Sequence, residues 1–207
     1  MDALTKNTTM KKIMFNDKYG LTQAVLEGRK TQTRRIITDC TGFRYSPFVK
    51  SGIEDNHGYE LKPKYEVGEV IAIAQSYKDA GFRPDKVLYR SIPQIDGYIK
   101  ETACSQKGWN NKMFVASNLM SHQISITNVR IERLQDISDE DCLKEGIYED
   151  SGDDEFPPSI FYEFEGNKDN GFDTPREAFA ALIDKVSGKG TWESNPYVWV
   201  YEFELMK

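Results

Sequence analysis

The sequence is poor in the residues that build metal centres and disulfide frameworks. Its 207 residues include two histidines and three cysteines, and the cysteines (Cys40, Cys104 and Cys142) form no Cys-x-x-Cys pair. A zinc site or a histidine-dependent catalytic triad is therefore poorly supplied. Few, widely spaced cysteines are typical of a reducing compartment, so we expect no disulfide, no metal site and a cytoplasmic location.

Long apolar runs and the common nucleotide-binding motifs are also missing. No apolar run approaches the roughly 18 residues that cross a membrane, and residues 1–7 lack the apolar region of a signal peptide. Gly-x-Gly-x-x-Gly, the P-loop pattern and Gly-x-Ser-x-Gly do not occur. We therefore expect no membrane partner, no dinucleotide or P-loop chemistry and no α/β-hydrolase nucleophile.

The excess of negative charge is confined to one segment of the chain. The net charge of −6 argues against a simple nucleic-acid binder. Residues 146–173, however, hold nine acidic residues and one lysine, a net charge of −8, which leaves +2 for the rest. The chain outside this segment is therefore compatible with a nucleotide or RNA partner.

The distribution of glycine, proline and polar residues indicates how the chain is organised. We expect residues 1–9 to form a flexible tail and residues 10–207 to form a single domain. Two segments interrupt that domain as insertions: 41–64, which is rich in glycine and proline, and 147–172, which is acidic. We expect the first to be a long loop and the second to be an irregular lobe.

Periodicity and capping signals predict three helices and several strands. One helix ends before Gly28, a short helix runs from Ser138 to Glu145, and a longer helix runs from Thr174 to Gly188. The order of elements favours an α+β fold, a small, mostly antiparallel β-barrel with flanking helices. The strand candidates alternate or are continuously apolar: Val70–Ala74, Val87–Tyr89, Gln123–Leu134 and Tyr197–Leu205.

A basic stretch after the first predicted helix carries the most informative chemistry. It reads Gly28-Arg29-Lys30-Thr31-Gln32-Thr33-Arg34-Arg35. Arginine neighbours disfavour the charged form of a lysine, and a lysine with a lowered pKa can act as a base toward a hydroxyl group. The same charges could hold a phosphate group, or they could be a solvated helix end that complements the helix dipole.

Four motifs in a fixed order resemble a known family. They are Gly28-Arg29-Lys30-Thr31-x-Thr33-x-Arg35, the turn Val67-Gly68-Glu69-Val70, Leu134-Gln135-Asp136-Ile137-Ser138 with Glu145-Gly146, and the closing aromatic strand. Together they resemble an ASCH domain, which is related to the PUA domains that bind RNA. The long form with Gly190–Val200 is similar to ASCH proteins of phages and prophages. The resemblance implies a PUA-like barrel and an RNA or modified-nucleoside partner.

The resemblance also implies roles for particular residues. Bacterial members of the family that remove the acetyl group from N4-acetylcytidine imply Lys30 as the base, Thr33 as the nucleophile and Glu145 as a proton donor or positioning group. This hydrolysis needs no metal or cofactor. The residues expected to contact the ligand lie in the basic stretch and after the strand Val70–Ala74: Arg29, Thr31, Arg34, Arg35, Gln75, Ser76 and Tyr77.

The spacing of these residues places a condition on a shared site. Residues an odd number apart in a regular strand face opposite sides, so Lys30 and Thr33 meet only if a bend or turn separates them. Glu145 is predicted at a helix C-terminus, where the dipole does not favour a carboxylate, which points to a functional role. A solvated helix-end glutamate is the alternative interpretation.

Two alternatives to the enzyme hypothesis stay open. The first is a non-catalytic RNA-binding module, which would bind with a strong dependence on salt concentration. The second is a phage accessory protein that acts through the acidic insertion, either by mimicking nucleic acid or by docking to a host protein.

Overall fold

The computed structural model describes most of the chain, namely residues 10–38, 42–82, 107–151, 160–167 and 171–206. The expected tail at residues 1–9 and the strand predicted at Val87–Tyr89 lie outside the described residues. Within the part of the chain that the structure describes, no helix combines the length and apolar character needed to cross a bilayer.

The described residues form short strands and helices. The strands are β1 (Lys12–Ile13), β2 (Gln32–Ile36), β3 (Phe43–Tyr45), β4 (Ile53–Asp55), β5 (Val70–Ile73), β6 (Gln123–Arg133), β7 (Tyr148–Ser151), β8 (Ile160–Glu163) and β9 (Tyr197–Leu205). The α-helices are α1 (Leu21–Leu26), α2 (Lys107–Asn110), α3 (Asp139–Lys144), α4 (Pro175–Ser187) and α5 (Thr191–Ser194). Short 3-10 helices lie at Asp17–Tyr19, Lys112–Phe114, Ser117–Leu119 and Leu134–Asp136.

The chain separates into two compact units, and the described residues of the first are 10–15, 70–82, 107–124 and Met206. Here β1 pairs in parallel with β5. The core of this unit contains Ala72, Ala74, Val115 and Met120.

The described residues of the second unit are 16–38, 42–69, 125–151, 160–167 and 171–205, and its strand order is β6-β9-β2. β2 pairs antiparallel with β9 from Gln32 opposite Glu202 to Ile36 opposite Val198. The valines of β9 are as buried as its aromatic residues, so this strand is covered on both faces.

The described elements confirm a mixed α+β fold in which antiparallel strand pairs predominate. β2–β9, β3–β4 and β7–β8 are antiparallel, and β1–β5 is parallel. The expectation of one domain over residues 10–207 remains a prediction.

The predicted helices and their caps are confirmed. The Ser138 side chain accepts a hydrogen bond from the Asp141 amide, and the Thr174 side chain accepts one from the Glu177 amide. The sequence also predicts a buried face for α4. That face is buried except at Val186, which lies in the last turn and is 36% exposed.

The two predicted insertions contain regular structure, which corrects the expectation of a loop and an irregular lobe. β3 and β4 form a hairpin in the first insertion, and β7 and β8 form one in the second. Each strand has only three or four residues, and most of the side chains are polar or exposed. These strands are therefore too short to show the alternation of apolar and polar residues that marks the longer strands.

The cap of α4 can be tested by substitution. Thr174→Ala should lower the free energy of unfolding by about 1 kcal/mol, because the Glu177 amide loses its acceptor. Urea unfolding measures the change. Thr174→Ser retains an acceptor and should stay close to the wild type, whereas equal stability of the alanine variant would contradict this account.

Candidate functional site

The turn between α1 and β2 fixes the position of Lys30. Gly28 adopts a φ of 76°, in the left-handed region that favours glycine. The Lys30 amide donates to the Ala24 carbonyl at 2.9 Å, and the Thr31 amide donates to the Lys144 carbonyl at 2.9 Å. The turn is therefore tied to both α1 and the last residue of α3.

Lys30 and Glu145 form a buried ion pair. Lys30 Nζ lies 2.5 Å from Glu145 Oε2 and donates a second hydrogen bond to the Glu145 carbonyl at 2.7 Å. The two residues are 2% and 5% exposed. Glu145 follows α3 directly, and Gly146 then reverses the chain with a φ of 105°. The helix end thus presents both its carboxylate and its carbonyl oxygen to one lysine.

Arg34 holds the other oxygen of the same carboxylate. Its Nη1 donates to Glu145 Oε1 at 3.1 Å, while Nε donates to Glu132 Oε1 at 2.8 Å and Nη2 donates to Asp141 Oδ2 at 2.9 Å. One buried guanidinium group therefore binds three carboxylates, which come from α3, its C-terminal cap and β6.

Further polar groups extend this cluster. Arg130 forms ion pairs with Glu132, Asp141 and Glu202. The side-chain Nε2 of Gln32 donates to Asp141 Oδ1 at 3.0 Å. We call the cluster the charge network, and its members are Lys30, Gln32, Arg34, Arg130, Glu132, Asp141, Glu145 and Glu202.

Burial controls the protonation of Lys30. Desolvation lowers the pKa of Lys30 below its ordinary value, and the charges of Arg35 and Arg34 lower it further, while Glu145 opposes the shift. The direction agrees with the expectation from the basic stretch. The principal cause is different, because desolvation contributes more than the arginine neighbours.

Cys142 lies beside the charge network but is not a nucleophile. It is fully buried in α3, and burial raises the pKa of its thiol to about 12. The reactive form of cysteine is the thiolate, so this side chain stays protonated and inert at neutral pH.

Thr33 is not part of the charge network. Thr33 pairs with Tyr201 in the β2–β9 register, and alternation along β2 places it on the opposite side from Arg34. Among the described residues, no hydrogen bond joins its hydroxyl group to Lys30 or Glu145. The structure therefore brings together two of the three predicted catalytic side chains, and the role of Thr33 remains a prediction.

The other residues of the basic stretch have separate environments. Arg29 is exposed and forms an ion pair with Glu27. Thr31 is half-buried, and its carbonyl accepts from the Phe203 amide at 2.9 Å. Arg35 is also half-buried and pairs with Trp199 in the register of β2 with β9.

Gln75, Ser76 and Tyr77 lie in the first unit, directly after β5. Ser76 Oγ donates to Asp79 Oδ2 at 2.5 Å. The Tyr77 ring packs edge-on against Phe82 and next to Gly108. Gln75 is buried, and its Oε1 has no hydrogen-bond partner in the described part of the chain. Their predicted contacts with a ligand stay predictions.

Five members of the charge network were not anticipated from the sequence, namely Gln32, Arg130, Glu132, Asp141 and Glu202. A usable signal was the spacing of two residues. Lys30, Gln32 and Arg34 are spaced two residues apart, and so are Arg130 and Glu132 in β6. Polar residues that repeat on the buried face of a strand indicate that they have polar partners in the protein interior.

Comparisons with known proteins give no relative for this chain: it matches no protein-family model, no curated protein and no solved structure. Among the described residues, no group of three or more His, Cys, Asp or Glu side chains is arranged to hold a metal ion.

Removing the charge of Lys30 should destabilise the fold, because the buried carboxylate of Glu145 would lose a cationic partner. Lys30→Met should lower the free energy of unfolding by about 3 kcal/mol, because Glu145 keeps Arg34 but loses its closer partner. Chemical denaturation measures the change. The matched variant is Lys30→Met combined with Glu145→Gln, which should recover a large part of the loss. Wild-type stability of the single variant would show that the pair is not closed in solution.

The acid sensitivity of the fold should depend on Asp141. Burial opposes its charge, but hydrogen bonds from Arg34 and Lys144 hold the pKa of Asp141 below its ordinary value. Its stabilising effect is therefore present above the unfolded-state pKa and is lost as the pH falls through the folded-state pKa. The stability gap between wild type and Asp141→Asn should be full at about pH 6 and should narrow below about pH 4. A gap independent of pH in urea titrations would refute this.

Proposed function

We propose that this chain is an ASCH-type protein that binds RNA or a modified nucleoside and hydrolyses an acylated nucleobase such as N4-acetylcytidine. The observation that carries the proposal is the buried Lys30, which is hydrogen-bonded to Glu145 and has a lowered pKa. This pairing of residue types agrees with the roles that the family resemblance implies.

A PUA-like barrel with flanking helices is part of the same proposal. The antiparallel pair β2–β9 and the helices α3 and α4 of the second unit support it. Closure of the strands into a barrel is an expectation from the resemblance, and the described strand pairs do not include a closed ring.

The proposed chemistry uses Lys30 as a base. A lysine whose pKa is lowered gives up its proton more readily, and its neutral amine can take a proton from a hydroxyl group or a water molecule, which then attacks the amide carbonyl carbon. Glu145 lies within hydrogen-bond distance of Nζ and can return the proton to the leaving amino group. Arg34 Nη1 donates to Glu145 Oε1 and so holds the carboxyl group in position.

The nucleophile can be identified by substitution at Thr33. The resemblance assigns the attack to the Thr33 hydroxyl group, which lies on the other face of β2 in this structure. Thr33→Val removes the hydroxyl group and conserves side-chain volume. Loss of turnover in this variant identifies Thr33, and retained turnover identifies water.

Access to Lys30 requires movement. Both members of the pair are buried, and a Cβ atom at Gly146 would lie 3.2 Å from Leu21 Cδ2 and 3.7 Å from Lys30 Cδ. Gly146 therefore covers the lysine closely. We propose that substrate binding displaces this helix end, which exchanges the protein contacts of Lys30 for contacts with the ligand.

The hydrolysis of N4-acetylcytidine tests the proposal directly. The wild type should release cytidine and acetate, and Lys30→Ala should be at least about 100-fold slower, because general base catalysis contributes that much. Chromatography follows both products. Lys189→Ala, an exposed lysine after α4, serves as the control for loss of one positive charge.

Two outcomes contradict parts of the proposal. A folded Lys30→Ala variant with the wild-type rate excludes Lys30 as the base. No turnover in the wild type excludes the hydrolase function and leaves the non-catalytic RNA-binding module, for which the dependence of RNA binding on salt is the next measurement.

A further inference from the structure

The hairpin of β3 and β4 exposes an unusual number of aromatic rings. Tyr45 is 68% exposed, Phe48 is 93% exposed and Tyr59, which follows β4, is 73% exposed. Solvent contact with three large rings within fifteen residues gives no stability to the fold. Several exposed apolar groups within one short stretch of chain are typical of a binding surface.

A groove is lined in part by residues that follow these rings in the chain, Lys50 and Ser51 after Phe48 and Glu60 after Tyr59. It has a volume of about 410 Å³, and its lining includes Lys50, Lys62, Arg130 and Trp199. Lys50 and Lys62 are exposed, and neither forms an ion pair with any residue that the structure describes. Their charges are therefore available to a ligand.

The groove also carries acidic side chains beside its two exposed lysines. Glu60 and Glu66 also line the groove. Glu60 Oε1 accepts a hydrogen bond from the Ser51 amide at 2.7 Å, so this carboxylate is engaged in holding the hairpin. Arg130, in contrast, shares its charge with the charge network.

We propose that this surface, consisting of Tyr45, Phe48, Tyr59, Lys50 and Lys62, binds a single-stranded polynucleotide. Bases stack on the exposed rings, and phosphates lie against the two lysines, which is the combination that proteins use to bind single strands. The inference rests on the proposed nucleoside or RNA partner and adds a second contact region outside the charge network.

The residue types favour this ligand over a protein partner or a duplex. Protein–protein interfaces are enriched in aromatic residues but depleted in lysine, whereas single-strand binders combine the two. Rings can stack only on bases that are not already stacked in a helix, so a duplex offers them no partner.

Fluorescence anisotropy with a labelled ten-nucleotide oligouridine tests the aromatic contacts. Phe48→Ala and Tyr59→Ala should each weaken binding at least about fivefold, because each removes one stacking platform. Phe114→Ala removes a ring that is also exposed, at 56%, but lies in the first unit, and it should bind like the wild type. Unchanged binding in both hairpin variants would overturn the proposal.

Salt dependence tests the lysine contacts in a way that a structural role would not reproduce. Lys50→Ala and Lys62→Ala should each reduce the slope of log affinity against log salt by about 0.7, the value for one phosphate contact on a single strand. Lys189→Ala should leave the slope unchanged. Equal slopes for all variants would overturn the assignment of phosphates to these lysines.

The choice of probe separates the sources of the ligand and the two proposals. Binding of oligouridine or of oligodeoxythymidine supports the inference, whereas equal binding of a duplex contradicts it. Hydrolysis of free N4-acetylcytidine requires no contact with the hairpin. If turnover of the nucleoside is found and no single strand binds, this inference fails alone. If oligouridine binds without turnover, the hydrolase proposal fails alone.

Discussion

The carboxylate of Glu145 is the group around which the second unit is arranged. Each of its oxygens is bound by a different cation, Lys30 on one side and Arg34 on the other. Both cations come from the turn and strand after α1, whereas the carboxylate comes from the end of α3. The charged form of Lys30 depends on this carboxylate, because an unpaired charge in this environment is strongly disfavoured, whereas Arg34 also binds Glu132 and Asp141. The path of the chain from α1 into β2 therefore depends on where α3 ends.

Such an arrangement specifies geometry more than it adds stability. Attraction inside a buried ion pair is largely offset by the desolvation of its members, and an apolar cluster of the same volume is often as stable. What the charge network excludes is the alternative in which β2 slips by one residue. A slip would turn Arg34 away from Glu132 and Asp141, and its guanidinium group would lose these two partners. The contacts of Arg34 with α3 thus help to fix the register of β2 against β9.

The sequence predicted the helix starts and the last strand, because these features depend on residues that are close together in the chain. Ser138 and Thr174 mark helix starts because their side chains bind amides within three residues, and β9 is recognisable because nine residues alternate. The β3–β4 and β7–β8 hairpins were not predicted, because short polar strands show no alternation of apolar and polar residues in the sequence. In the site, Lys30 and Glu145 were found by their order in a motif. Asp141 was not, because a residue in the first turn of a helix has an ordinary reason to be acidic.

Cys142 gives this protein a built-in reporter of its own internal motion. The thiol is fully buried one residue before Leu143 and three before Glu145, and burial keeps it protonated. An alkylating reagent can reach it only while α3 has lifted from the unit, so the rate of modification measures how often that opening occurs. The same opening would uncover Lys30. The rate at which Cys142 is alkylated would therefore report how often Lys30 becomes accessible.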